Sequence, residues 1–242
     1  MTSTRYLEIA DALSAELSDA APGTRVASEN EIAARFGVGR AASRAALQEL
    51  ERRLVVRRVQ GVGTFLNRRI DYRISERMPP SWHSTVAAAG AEPRAIVKSV
   101  DRVPMPCDVA ERLDRAPGDA VHRVIREFYI DELLACRVHE WIPVAEVSEL
   151  DLALHVVDSL DVVLRQMGRV EPVRAWCRVS LDAPTPEVAR VLGMEPGLLA
   201  WQVDSLSRDA TSGRPVMCST SWTRVDAVRI VVEMDNFEEN NA

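Results

Sequence analysis

The chain has 242 residues, 47% of them hydrophobic and 27% charged, with 30 Lys and Arg against 36 Asp and Glu and a formal net charge of −6. This is the make-up of a globular protein of one or two domains, and it excludes a disordered chain. No run approaches the ~18 apolar residues of a membrane-spanning helix. Met1-Thr-Ser-Thr-Arg-Tyr leads into charged sequence and not a signal-peptide apolar block, so a cytoplasmic protein with no membrane partner is expected.

The charge is unevenly spread. Residues 1–70 hold 11 Arg, no Lys and 8 acids, while the rest of the chain is strongly acidic. A basic block on an acidic protein suggests an anionic partner, although an arginine face alone is more often solvated surface. Tyr6, Ile9, Ala10, Leu13 and Leu17 recur at helical spacing, and Ala21-Pro22-Gly23 breaks that helix. Ser28 with Glu31 three residues later is a capping box opening a second helix through Ile32, Ala33 and Phe36, which Gly37 stops. A third helix starts near Arg40. Ala42, Ala46, Leu47, Leu50 and Leu54 form its buried side, while Arg40, Arg44, Gln48 and Arg52 line another face at four-residue steps. The period then changes to two: Val55–Val59 reads as a strand, Gln60–Gly63 as a turn and Thr64–Leu66 as a returning strand. Two helices across a glycine turn, followed by a hairpin, make a winged helix-turn-helix.

These residues resemble the DNA-binding domain of the GntR family of bacterial transcription regulators. The matching positions are Tyr6-Leu-Glu-Ile-Ala-Asp-Ala-Leu, Pro22-Gly23, Ser28-Glu29, Phe36-Gly37-Val38, Arg40, Arg44, Ala46-Leu47 and Gly61-Val62-Gly63-Thr64-Phe65. The sequence departs from the family at Val26-Ala27, Gly39, Ala41-Ala42-Ser43 and Leu54, where Leu-Pro, Ser, Thr-Thr-Val and a helix-ending Gly are usual. If Leu54 adopts the positive φ of that glycine, the cost is on the order of 1 kcal/mol. The resemblance implies that Arg40 and Arg44, with Ala41 beside them, meet base edges. It implies that Ser28 and Arg35 touch phosphates, that Glu29 is among the DNA-binding residues, and that Arg57, Arg58, Gln60, Gly61 and Gly63 form the wing. An Arg on guanine O6 and N7 is worth about 1–3 kcal/mol of discrimination. Arg52, Arg53, Arg68 and Arg69 read as solvated surface.

Residues 68–81, with Met78-Pro79-Pro80-Ser81, read as a linker. Beyond it strands and short helices alternate. A helix over 82–89 ends at Gly90, and a strand spans 94–103. A helix over 107–113 ends at Pro117-Gly118. Strands at 121–130 and 135–142 are joined by Asp131-Glu132. A helix over 159–167 is stopped by Gly168, a strand spans 172–182, and a helix runs from 187 to 192. A hairpin of 199–208 and 216–224 and a last strand at 228–234 complete the chain. Mostly antiparallel strands with interposed helices predict an α+β domain.

This order resembles the UTRA effector domain, a chorismate lyase-like fold, that follows the winged helix in the HutC subfamily. The resembling features are Gly118 before a long strand, Arg126 within it, Trp141-Ile142-Pro143, Ser159-Leu160, Gly168, Ala189 through Gly193, and Asp209 through Pro215. The expected organisation is therefore 1–67 DNA-binding domain, 68–81 linker, 82–236 effector and dimerisation domain, and 237–242 tail. The resemblance implies an effector site at Trp82, His83, Arg126, Ser159, Trp222 and Arg224, with Arg137 and His139 in second place. Phe128 stands where a second Arg is common, and Val138 and Met217 where Glu is common, which argues against a sugar effector. Arg126 with Ser159 at a helix start suits an anion. Ser81-Trp82-His83-Ser84-Thr85 with Gly90 and Pro93 is similar to regulators tied to phosphonate use, so a phosphonate- or phosphate-type effector is expected.

The function implied is that of a ligand-responsive regulator, a repressor, acting as a homodimer on a pseudo-palindromic double-stranded operator. The alternatives are an effector-independent DNA-binding protein and a lyase-like enzyme. No Ser-His-Asp set, H-E-x-x-H, phosphate loop or dinucleotide fingerprint supports the last. Cys107, Cys136, Cys177 and Cys218 are dispersed and read as reduced packing thiols, so no metal and no cofactor is expected.

Overall fold

The computed structural model describes residues 2–59, 61–74, 82–157, 159–195 and 197–232. The chain divides into two compact units, Met1–Arg69 and Ile70–Ala242.

The first unit contains α1 (Thr2–Glu16), α2 (Glu29–Phe36), α3 (Arg40–Arg52), β1 (Val56–Val59) and β2 (Gly63–Leu66). Its core gathers Ile9, Ala10 and Leu13 from α1, Ile32 from α2, and Ala46, Leu47 and Leu50 from α3, with Val26 and Val56. Each fully buried Leu or Ile contributes about 1.5–3 kcal/mol. The Ser28–Glu31 capping box opens α2, and Gly37 closes it in the left-handed region at φ 61°. Leu54 leaves α3 at φ 59°, as the glycine usual there would. That conformation costs a leucine about 1–2 kcal/mol. Hydrogen bonds of 2.9 Å from Leu54 N–H to Glu51 and from Val55 N–H to Leu50 hold it in place. The antiparallel hairpin pairs Val56 with Leu66 and Val59 with Gly63. It is tied to the segment before α2 by the Val26 N–H on the Thr64 carbonyl at 2.8 Å.

The second unit contains β3 (Ile70–Ile74), α4 (Trp82–Ala88), β4 (Pro93–Pro104), α5 (Cys107–Leu113), β5 (Ala120–Ile130), β6 (Leu133–Pro143), α6 (Leu150–Val156), α7 (Leu160–Gln166), β7 (Pro172–Asp182), α8 (Pro186–Val191), β8 (Ala200–Asp209), β9 (Pro215–Arg224) and β10 (Val228–Val232). Six strands form one antiparallel sheet in the order β4-β5-β6-β9-β8-β7. Side chains alternate between its faces. On one face Val124 and Ile142 are packed by Leu150 and Leu154 of α6 and Leu160, Val163 and Leu164 of α7. On the other, Val121, Leu206 and Cys218 are packed by Val109, Ala110 and Leu113 of α5. Outside this sheet β3 pairs in parallel with β10, Ile70 opposite Val228 through Ile74 opposite Val232. Ile70 and Val228 join Val86 of α4 and Ala135 in a third cluster.

The structure differs from the sequence expectations in three elements. Ile70–Ile74, inside the segment expected as a linker, is strand β3: Ile70, Tyr72 and Ile74 carry the period-two pattern, and β10 supplies the partner. Helix α6 was not anticipated, although Leu150, Ala153 and Leu154 have helical spacing and are buried. Helix α5 ends at Asp114, which takes the left-handed cap at φ 53°, before Pro117-Gly118 is reached. Residues 75–81 of the expected linker, residues 233–236 of the expected effector domain and the tail at 237–242 lie outside the described residues.

Candidate nucleic-acid interface and ligand site

Helices α1 and α2 and a glycine turn fix α3 against the rest of the first unit. Its outer face presents Arg40, Ala41 and Arg44 to solvent. Gly39 is the N-cap and makes no side-chain cap, leaving the first turn of α3 without a side-chain acceptor. Arg40 carries no hydrogen bond or ion pair among the described residues. Arg44 is 62% exposed and donates from Nε to both carboxylate oxygens of Glu29 at 3.2 Å. Ser28 Oγ accepts from Glu31 N–H at 3.3 Å, and Ser28 N–H donates to the Glu31 carboxylate at 2.7 Å. Arg35 faces α1: it donates to Glu16 at 2.8 Å and again through its second Nη, and its guanidinium lies 5.1 Å from the Phe36 ring. The Arg35 hydrogen bonds hold the Glu16 carboxyl below the usual carboxylate range.

In the hairpin, Arg57 and Arg58 point to opposite faces. Arg58 turns back onto α3, where Nη2 donates to the Arg44 carbonyl at 3.5 Å and Nε lies 3.3 Å from Glu51. Arg57 faces away, with no hydrogen bond or ion pair among the described residues. Gly61 lies at φ +75° with nothing near the place of a Cβ, so its backbone is open to close approach. Gly63 lies at φ +145°, and a Cβ there would stand 3.5 Å from Arg25 Nε. Gln60 lies outside the described residues. Arg52 and Arg53, expected as solvated surface, converge on the buried Glu49: Arg52 donates at 2.8 Å twice and Arg53 at 2.7 Å. Those hydrogen bonds, Arg52 first, pull the Glu49 carboxyl down to about 2. Arg52 itself is 74% exposed, and Arg53 also reaches Asp11 on α1.

The second unit separates the expected effector residues. Register places Arg126 opposite Val138 and Glu127 opposite Arg137 on adjacent strands. Alternation therefore puts Arg126 on the α6–α7 face and Arg137 and His139 on the opposite face. Trp222 and Arg224 share that opposite face, because Trp222 is the register partner of Arg137. There His139 meets Trp222 edge to face at 5.0 Å. Burial, then the nearby Arg137 charge, lowers the His139 pKa. Arg137 is buried between Glu127 at 3.4 Å and Glu187 of α8 at 3.3 Å. Arg224 chelates Asp226 at 2.9 and 2.6 Å and donates to the Leu192 carbonyl at 2.8 Å, fastening the end of α8.

On the α6–α7 face Arg126 grips Glu140 through Nε at 2.7 Å and Nη2 at 2.5 Å, the two side chains being 10% and 6% exposed. Its guanidinium also lies 4.9 Å from the Phe128 ring. Trp82 packs on Phe128 at 5.5 Å and donates from Nε1 to the Tyr129 carbonyl at 3.0 Å, which anchors α4. His83, next to it, is exposed. Ser159 caps α7, its hydroxyl accepting from Val162 N–H at 3.4 Å. Glu140 is the residue that sequence reasoning missed. Val138 stands where the family commonly has Glu, and Glu140 lies two residues further along the same face, diagonal to Arg126. Burial drives the Cys136 thiol up to about 12 and the Cys218 thiol up to about 11. Among the described residues no cluster of His, Cys, Asp and Glu could hold a metal ion, and no helix is long and apolar enough to cross a membrane.

Comparison with known proteins matches residues 88–229 to the UTRA domain and residues 5–66 to the bacterial regulatory proteins of the gntR family. The HTH-type transcriptional regulator GgaR of Escherichia coli (strain K12) is 26% identical over 214 residues, 87% of this chain and 82% of that protein. The crystal structure of PhnF from Mycobacterium smegmatis superposes with a TM-score of 0.67 at 21% identity, over 94% of this chain and 99% of that one. The possible transcriptional regulator YydK from Bacillus subtilis superposes with a TM-score of 0.56 at 19% identity, over 96% and 99% of the two chains.

Proposed function

The chain belongs to the GntR family of bacterial regulatory proteins and carries a UTRA domain, and from that premise we propose that it is an effector-released repressor acting as a homodimer on a pseudo-palindromic operator. It is a DNA-binding transcription regulator with an effector domain, not an enzyme. The observation that carries the DNA half of the proposal is the outer face of α3, where Arg40 and the 62%-exposed Arg44 stand clear of the core. An uncapped first turn beside them offers N–H groups to a phosphate. Arg57 and Gly61 supply the hairpin's contribution. Two such units related by a twofold axis read two half-sites.

For the effector, Arg126 and Ser159 remain the candidates toward the α6–α7 face, with Trp82 packed on Phe128 and His83 exposed beside it. Arg137, His139, Trp222 and Arg224 belong to the other face, where two of them serve to hold α8. The family's place for a ligand and the phosphonate-like start of the domain support an anionic metabolite. The bidentate Arg126–Glu140 pair favours a second version of the effector, a molecule that brings a cationic or hydroxyl donor along with its anion. A bare anion entering beside Arg126 meets the Glu140 charge as well.

The test is binding of the full chain to duplex DNA from the region upstream of its own gene, with excess random competitor at ~0.15 M salt. Non-specific affinity under those conditions is typically only 10⁻⁴–10⁻⁶ M. A nanomolar footprint with twofold symmetry that collapses on addition of an effector supports the proposal. Binding no tighter than to competitor overturns it.

A further inference from the structure

Glu29, which the sequence groups with the DNA contacts, is engaged inside the protein. It is the first residue of α2, across the turn from α3, and both of its carboxylate oxygens accept from the same nitrogen of Arg44, Nε, at 3.2 Å. A guanidinium offers paired donors along two kinds of edge, the end made by both Nη groups and the side made by Nε with one Nη. Occupation of Nε takes the side edge and leaves the Nη end free, on a side chain that is 62% exposed. That forked end matches guanine O6 and N7.

The hairpin takes part in the same arrangement. Arg58 Nη1 lies 3.9 Å from Glu29, its Nη2 donates to the Arg44 carbonyl at 3.5 Å, and its Nε is 3.3 Å from Glu51 on α3. Glu29 therefore stands between the arginine of the recognition helix and an arginine of the wing. Arg58, 32% exposed, has its donors turned toward the protein.

We infer that Glu29 is a specificity-determining positioning residue. It holds Arg44 with its forked end outward and ties that orientation to the hairpin through Arg58, without contacting DNA itself. An arginine ordered before binding loses less rotamer freedom when it meets its base, which raises affinity for the right sequence. One whose Nε is already occupied is also a poorer partner for a passing phosphate, which lowers affinity for every other sequence. The inference rests on the proposal that Arg44 reads a base edge.

The test uses the full chain and two DNA duplexes, one selected by the wild-type protein from a randomised pool and one of random sequence. The quantity read is the ratio of the two affinities, with its salt dependence. Glu29→Ala is expected to lower the ratio about tenfold, the scale of one bidentate base contact. Arg44→Ala should lower it at least as much, and the double variant no further than Arg44→Ala, since coupled residues are not additive. On the selected duplex the slope of affinity against salt should stay unchanged in Glu29→Ala and in Arg58→Ala, because neither side chain is placed on a phosphate, while on the random duplex it should steepen in Glu29→Ala as the freed Arg44 Nε meets phosphates. Glu29→Gln, which keeps an acceptor at the same helix end, should fall between wild type and Glu29→Ala, with the thermal melt confirming a folded first unit.

A full additional loss from Glu29→Ala in the Arg44→Ala background would show Glu29 reading DNA on its own, and the positioning role would be wrong. An equal rise in affinity for both duplexes would reduce Glu29 to a counter-ion, which also overturns it. An unchanged ratio in Arg44→Ala alone would remove the base contact on which the inference stands, an outcome visible before Glu29 is touched.

Discussion

Replacing Glu140 by leucine strips Arg126 of its bidentate partner at nearly constant side-chain volume. With the Arg126 side chain only 10% exposed, its guanidinium would be left in the interior without the carboxylate. Breaking a buried pair from one side costs about 3–5 kcal/mol, a large share of the 5–15 kcal/mol that holds an ordinary domain together. Replacing both partners, Arg126→Met with Glu140→Leu, removes the stranded charge along with the pair, and such exchanges are often neutral or stabilising by about 1–4 kcal/mol. The expected pattern is one crippled single variant and one healthy double variant. All five tryptophans lie between residues 82 and 222 and none in the first 69, so tryptophan fluorescence in urea follows the second unit alone. That matters because a chain of two units need not unfold in one step. A loss below about 1 kcal/mol in Glu140→Leu would mean the pair is solvated. A double variant as unstable as the single would mean that shape, not charge, is what the site requires.

Gly168→Ala should destabilise the second unit by about 1–3 kcal/mol, the range for overpacking. A Cβ there would stand 2.7 Å from the Leu164 carbonyl and 3.1 Å from that of Glu146, and urea unfolding read by tryptophan fluorescence measures the loss. Gly39→Ser should stabilise the first unit by about 0.5–1 kcal/mol. The site is extended at φ −74° and open, a serine there can cap α3, and the unfolded chain loses freedom; the far-UV thermal melt reads the gain. With a thiol-titrating disulfide at pH 8, the exposed Cys107 should react at once and the half-buried Cys177 more slowly. Cys136 and Cys218 should wait for unfolding, because burial raises both thiols and excludes the reagent.

The first unit was legible almost residue by residue because its signals are local. The Ser28–Glu31 box, the Gly37 stop and the change of period at Val55 each lie within a few positions of what they determine. Even the left-handed Leu54 follows from the turn it must complete. Arg44 and Arg58 were legible as candidate DNA contacts but not as partners of Glu29, because ion pairs across a turn or onto a hairpin depend on side-chain reach. In the second unit strand β3 was hidden because its partner β10 lies some 160 residues away, and a lone period-two run before two prolines reads as a linker. The effector candidates follow from the resemblance, which names positions on strands without their face. A one-residue offset in a strand moves a side chain to the other side of the sheet, which separates Arg126 from Arg137. The same alternation, applied to β5 and β6 together, would have found Glu140.

The parallel pairing of β3 with β10 has a consequence for how the protein is born. A ribosome adds about 5–20 residues per second, so β3 emerges roughly 10–30 s before the strand that completes it. In that interval the helix-turn-helix unit has all of its chain, while β3 has an unpaired backbone edge, and Ile70 and Tyr72 lack the Val228 that completes their cluster. Unfilled edges are where nascent chains stick to one another. The cell therefore holds, behind every finished copy, a DNA-reading head attached to an incomplete body. Slow codons within β10, or a chaperone that covers β3, should govern the yield of this protein more than any change in its helix-turn-helix.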